Sequence, residues 1–160
     1  MQLSSPVLLN LCLALPVSSA VPAPVVARSK QVVDNLPPSD QFVTCPGYRY
    51  SRPQVESAIQ QGIINMPTSQ PQPEGFPHEF GNNRKLPFSK VCNGKKLYEF
   101  PLLHGGKVFG GGETGPDRVV FYIYTDNPDK SPTKNGGYCG VMTHDGAGEK
   151  NGFALCPVKD

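Results

Sequence analysis

Seven residues, Arg118-Val-Val-Phe-Tyr-Ile-Tyr124, constrain the fold most: six of them are β-branched or aromatic, and they follow the turn tripeptide Gly115-Pro-Asp117. Such a run reads as a strand, and because its apolar residues do not alternate with polar ones, as a strand covered on both faces. Side chains alternate along a strand, so Arg118 shares a face with Val120, Tyr122 and Tyr124, while Val119, Phe121 and Ile123 point the other way. A buried strand needs neighbours. Lys96–Leu103, which carries Glu99, and Tyr138–His144 have the composition to supply them. If the three pair, Glu99, Arg118 and His144 converge on one face of a small sheet.

The layer that covers the other face is also legible. Ser51-Arg-Pro-Gln54 is a helix start, with Ser51 as N-cap, Pro53 in the first turn and Gln54 closing a capping box. Val55, Ala58, Ile59, Gly62 and Ile63 then recur at helical spacing and make one apolar stripe, so the helix should run to about Ile63. That stripe fits the face bearing Val119, Phe121 and Ile123, and leaves the opposite face concave and open. Lys107–Phe109 reads as a further short strand. Thr68–Gly75, Gly81–Asn93, Gly110–Gly115, Asp126–Gly137 and Asp145–Gly152 are turn-rich connections. The expected class is α+β, one α-helix packed on a small antiparallel β-sheet.

With 160 residues the chain has room for one domain with a modest core. Val7–Val17 is mostly apolar, too short to span a bilayer, and followed by the small residues Ser18-Ser19-Ala20. Residues 1–20 therefore read as a secretory signal. Residues 21–41, rich in Pro and Ser, read as a flexible leader or propeptide, and residues 42–160 as the folded domain. The protein is expected outside the cell, as a monomer with no membrane attachment. Of its five cysteines, Cys12 falls in the signal. Cys45, Cys92, Cys139 and Cys156 remain, and in an oxidising compartment they form two disulfides by any of three pairings. No two have the spacing of a zinc knuckle.

The formal charge of +2 does not announce a nucleic-acid partner. Its distribution says more: between Glu79 and Glu99 the chain has Arg84, Lys85, Lys90, Lys95 and Lys96 and no acidic residue. This is a solvated basic loop or a patch for a polyanion.

Glu99 sits between Tyr98 and Phe100, where a carboxylate is expensive unless paired or used. A structural bridge to Arg118 is the bland reading. His144 tips the balance, because a carboxylate, an imidazole and a guanidinium on one surface are the parts for phosphoryl transfer by general acid–base catalysis. His78 is a further candidate, whereas His104, ahead of Gly105-Gly106, reads as a turn residue. With no HxH pair, EF-hand loop or P-loop, no metal or other cofactor is expected.

Phe76-Pro-His-Glu-Phe80, Tyr98-Glu-Phe-Pro-Leu102, Gly115-Pro-Asp-Arg-Val-Val-Phe121 and Val141-Met-Thr-His-Asp-Gly-Ala147, in this order, resemble the small secreted fungal ribonucleases that prefer guanine or purines. The alpha-sarcin-type ribotoxins are their cousins, but need a much longer basic loop than His78 to Glu99 allows. The resemblance implies a metal-free transesterification on single-stranded RNA. In it Glu99, helped by His78, acts as base, His144 as acid, and Arg118 holds the phosphoryl oxygens. It implies substrate contacts at Phe76, Phe80, Gly81, Asn82, Asn83 and Phe153, and the pairings Cys45–Cys156 and Cys92–Cys139. Two positions depart from the family pattern: Phe76 stands where a Tyr is usual, and Gly81–Leu86 lacks the usual base-reading Glu. The expectation is therefore weakened guanine preference, with Asn82 and Asn83 as substitute acceptors, unless Glu79 or a residue from another loop replaces the missing Glu. The other reading is a secreted ribonuclease-like effector that binds RNA or a host protein without cleaving.

Overall fold

A computed structural model describes residues 31–66, 75–126 and 133–160. The expected signal segment (1–20) and the first half of the expected leader (21–30) lie outside the described residues. So do residues 67–74 of the Pro/Gln loop and 127–132 of the Asp126–Gly137 connection.

The chain runs β1 (Val33–Asp34), β2 (Phe42–Cys45), β3 (Tyr48–Ser51), α1 (Arg52–Ile64), β4 (His78–Phe80), β5 (Leu97–Pro101), β6 (Asp117–Asp126), β7 (Thr133–Thr143), β8 (Ala154–Cys156) and β9 (Val158–Lys159). The main sheet has the order β1-β7-β6-β5-β4, with β8 also on β7, and β3-β2-β9 forms a second, three-stranded sheet. Pairing is antiparallel except for β1, which lies parallel to β7. The architecture is the α+β one, with one α-helix among the described residues packed on a largely antiparallel sheet.

The capping box at Ser51 and Gln54 is present, and Val55, Ala58, Ile59, Gly62 and Ile63 are all buried. They pack with Phe100, Val119, Phe121, Tyr138 and Val141, so the helix covers the anticipated face of β6. Gly62 lets the helix come close: a methyl group there would lie 2.8 Å from Phe121 Cζ.

Three features differ from the sequence reading. First, the leader is not flexible throughout. Val33 pairs with Gly136 and is buried, so the sheet begins well before Phe42. Second, β7 starts at Thr133 rather than Tyr138. Gly136-Gly137 reads as a turn in sequence but lies within the strand, where Gly136 meets Ile59 and Ile63 and Gly137 meets the Tyr122 ring. Third, the second face of the sheet is not left open along its length. Residues 81–96 fold across part of it, placing Leu86 and Phe88 against Val120, Met142, Cys92 and Cys139. The expected strand Lys107–Phe109 reduces to one bridge, Leu102 to Val108, with Phe109 buried beside Phe76 and Phe100.

Two disulfides hold these layers. Cys45–Cys156 joins the ends of the folded region, and Cys92–Cys139 pins the covering loop to β7, where the β6–β7 register shifts. Among the described residues, no helix is long and apolar enough to cross a membrane.

Candidate active site

The register of three strands assembles the site. His78 on β4 lies opposite Glu99 on β5, Glu99 lies opposite Val120 on β6, and Arg118 lies opposite Met142 on β7. Paired residues of an antiparallel sheet share a face. His78, Glu99 and Arg118 therefore stand on the face turned away from the helix. His144 follows directly after β7, its N–H donating to the Pro116 carbonyl at 3.0 Å.

Glu99 is 6% exposed. Its Oε1 lies 3.2 Å from His78 Nδ1, while Oε2 is buried with no hydrogen-bond partner. Burial pushes the carboxyl pKa above its ordinary value; the charges of His78, Arg118 and His144 pull the other way without cancelling it. Among the described residues His78 is the sole ion-pair partner of Glu99, so the structural Glu99–Arg118 bridge does not form.

Arg118 is held by its own turn. Nη1 donates to the carbonyls of Thr114, Gly115 and Asp117 at 3.2, 2.8 and 2.8 Å, and Nη2 to Thr114 Oγ1 at 2.9 Å. Phe76 underlies the guanidinium, 5.2 Å from ring centroid to Cζ, and also packs on the His78 ring, centroids 4.4 Å apart. Burial pulls the Arg118 pKa down, opposed by Glu99 and Asp117. Of the five guanidinium N–H groups, Nε–H and one on Nη2 remain for another acceptor.

His144 Nδ1 is 2.8 Å from the Gly152 carbonyl, and because a carbonyl only accepts, Nδ1 is the N–H donor of that bond and Nε2 is the nitrogen outside it. Phe153 packs on the imidazole, centroids 3.9 Å apart, and makes an edge contact with Phe80.

Beside this row lies a pocket of about 230 Å³ lined by Phe80, Gly81, Asn82, Asn83, Arg84, Leu86 and Phe153. Five of the six residues expected to contact substrate line it, and Phe76 sits under Arg118 instead. Asn82 is turned back on its own loop: its Oδ1 accepts from Leu86 N–H at 2.8 Å and its Nδ2 donates to the Leu86 carbonyl at 3.1 Å. That closed ring braces the loop, in which Asn82 and Lys85 have positive φ.

Sequence reasoning missed two groups. Asp117 reads as a turn residue but is fully buried, accepting from the Tyr50 hydroxyl and paired with His104 Nε2 at 3.0 Å. His104 is in a turn as expected, yet it also stacks on Tyr48. Its link to Asp117 crosses between separate segments, so no local pattern marks it. The second group is Glu149, whose Oε2 lies 2.7 Å from Arg84 Nη2 at the pocket wall. Among the described residues Cys45, Asp117 and Cys156 bring possible ligand atoms within 4.8 Å, but the two sulfurs are joined to each other and offer no thiolate.

A family model described as ribonuclease matches residues 39–157. Guanyl-specific ribonuclease U1 of Ustilago sphaerogena is 34% identical over 114 residues, 71% of this chain and 93% of that protein. Guanyl-specific ribonuclease Pc of Penicillium chrysogenum is 31% identical over 113 residues, 71% of this chain and 95% of that protein. Guanyl-specific ribonuclease N1 of Neurospora crassa is 28% identical over 151 residues, 86% of this chain and 87% of that protein.

Proposed function

Because the chain belongs to the ribonuclease family, we propose that it is a secreted endoribonuclease that cleaves single-stranded RNA after guanine, and more weakly after adenine, without a metal ion. The observation that carries this reading is the buried Glu99 carboxylate, one oxygen at His78 and the other without a partner, on the sheet face that also bears Arg118.

An unpartnered, desolvated carboxylate with a raised pKa is a better base than a solvated one, and a ribose 2′-hydroxyl is a donor that matches it. Glu99 takes the hydroxyl proton with His78 holding its other oxygen, and the 2′-oxygen attacks phosphorus. The bond to the 5′-oxygen breaks on the opposite side, and that oxygen receives a proton from His144 Nε2. The products are a 2′,3′-cyclic phosphate and a free 5′-hydroxyl. Arg118 offers its remaining N–H groups and its charge to the phosphoryl oxygens, where negative charge grows in the transition state. In the second step water replaces the 5′-oxygen and the two proton carriers exchange roles. DNA lacks the nucleophile and is not a substrate.

Phe80 and Phe153 form apolar walls on which a purine can stack, and Gly81 and Asn83 line the same pocket. Secretion accords with the two disulfides, which persist in oxidising compartments. Digestion of a defined oligoribonucleotide in EDTA, followed by mass spectrometry, tests the reading. The expected first product ends in a 2′,3′-cyclic phosphate. A chelator-sensitive reaction that releases 5′-phosphates would overturn it.

A further inference from the structure

How this chain tells one base from another is open, because Gly81–Leu86 has no carboxylate and the Asn82 amide is engaged with Leu86. The pairing edge of guanine presents an acceptor, O6, and then two donors, N1–H and the exocyclic amine. A reader of guanine must offer the complement in order: a donor, an acceptor, an acceptor. Adenine, which presents a donor and then an acceptor, does not fit that series. A carboxylate accepts only and a guanidinium donates only, so the two side by side make the required series.

The structure holds one such pair at the pocket. Arg84 lines it, and its Nη2 lies 2.7 Å from Glu149 Oε2. Glu149 comes from the loop after His144, some distance along the chain, and is tied to the row of proposed reacting groups. The Gly152 N–H donates to the Glu149 carbonyl at 2.9 Å, and the Gly152 carbonyl accepts from His144 Nδ1 at 2.8 Å. Arg84 also rests on Gly152, where a methyl group would lie 2.8 Å from Nη1. A solvated surface pair contributes little to stability, and Arg84 and Glu149 are 49% and 70% exposed, so stability does not account for this placement. Glu79, the other carboxylate near Phe80, is instead paired with Lys96 at 2.8 Å.

We propose that Arg84 and Glu149 together read the base: Arg84 donates to O6, and the Glu149 carboxylate accepts N1–H and the amine. A carboxylate has about four acceptor positions, so the bond from Arg84 leaves enough for both donors. The ion pair holds the Glu149 carboxylate beside Arg84, a side chain of the pocket lining. This inference rests on the ribonuclease reading above, and it replaces the expectation of weakened guanine preference with one of retained preference.

Calorimetric titration with guanosine 2′-monophosphate and adenosine 2′-monophosphate, beside kcat/KM on GpC and ApC, tests it in the wild type, Glu149→Gln and Arg84→Ala. The wild type should favour guanine in both measurements. Each variant should lower both guanine-to-adenine ratios at least about tenfold, the effect of leaving guanine donors unpaired, with the thermal transition unmoved. Either variant keeping the wild-type ratios, or a wild type with no guanine preference, overturns the proposal. Guanine-selective binding lost in Glu149→Gln, in a protein that does not cleave RNA, would uphold the base reader and sink the ribonuclease reading instead.

Discussion

Burial raises the Glu99 pKa, and a group whose folded pKa exceeds its unfolded value makes folding less favourable as pH rises between the two. The folded protein is thus relatively most stable, for this group, below the ordinary glutamate range, and that stability is lost as pH climbs through the raised folded value. Glu99→Gln removes the ionisation. At pH 7 it should raise the unfolding free energy by about 1 kcal/mol, the scale of a buried unpaired polar group, while RNA cleavage falls by at least 100-fold, as for loss of a general base. The gain should vanish near pH 4 in urea titrations at both pH values. A variant no more stable at pH 7 than at pH 4, relative to wild type, contradicts the account of Glu99. This residue was legible in sequence because a carboxylate inside an apolar strand is anomalous. Asp117 was not, since Gly-Pro-Asp carries a turn signal and nothing local places that carboxylate under Tyr50 and His104.

At the scale of elements, local pattern accounts for the helix and the central strands and fails where two distant segments meet. The stripe from Val55 to Ile63 and the run from Arg118 to Tyr124 have the periods of their structures, so their faces were readable. The pairing of Val33-Asp34 with β7 and the folding of residues 81–96 over the second face depend on partners far along the chain. So does the Arg84–Glu149 pair, which no periodicity encodes. Gly62 tests the helix–sheet contact. Gly62→Ala should cost about 1–3 kcal/mol by overpacking against Phe121, despite the better helix propensity of Ala. Denaturant unfolding measures it, and a stabilised Gly62→Ala would mean the helix sits farther from β6 than described. The base-binding loop has its own anchor at Cys92–Cys139. Replacing both of these cysteines by Ser should reduce guanine discrimination more than it reduces turnover on ApC, because the loop and not the Glu99 row loses its tether. Equal losses in both would count against that division.

The described residues form one α-helix and two small sheets joined by two cross-links, which span 111 and 47 residues. On the chain-entropy model they contribute about 5 and about 4 kcal/mol, comparable to the net stability of a domain of this size. Reduction should therefore unfold the protein at moderate temperature, followed by circular dichroism with and without reductant; an unchanged transition would mean the core suffices alone. The cysteine pairing itself was not derivable from spacing, which left three choices, and came only with the family resemblance. The central claim is that Glu99 and His144 carry the two proton transfers of RNA cleavage, and one comparison tests it most directly. His144→Ala and wild type are assayed for kcat/KM on the same oligoribonucleotide, with thermal unfolding recorded on the same samples. The account predicts at least a 100-fold loss of cleavage with an unmoved transition, since His144 is exposed and its contacts are with Phe153 and the Gly152 carbonyl. Wild-type turnover by His144→Ala would contradict it.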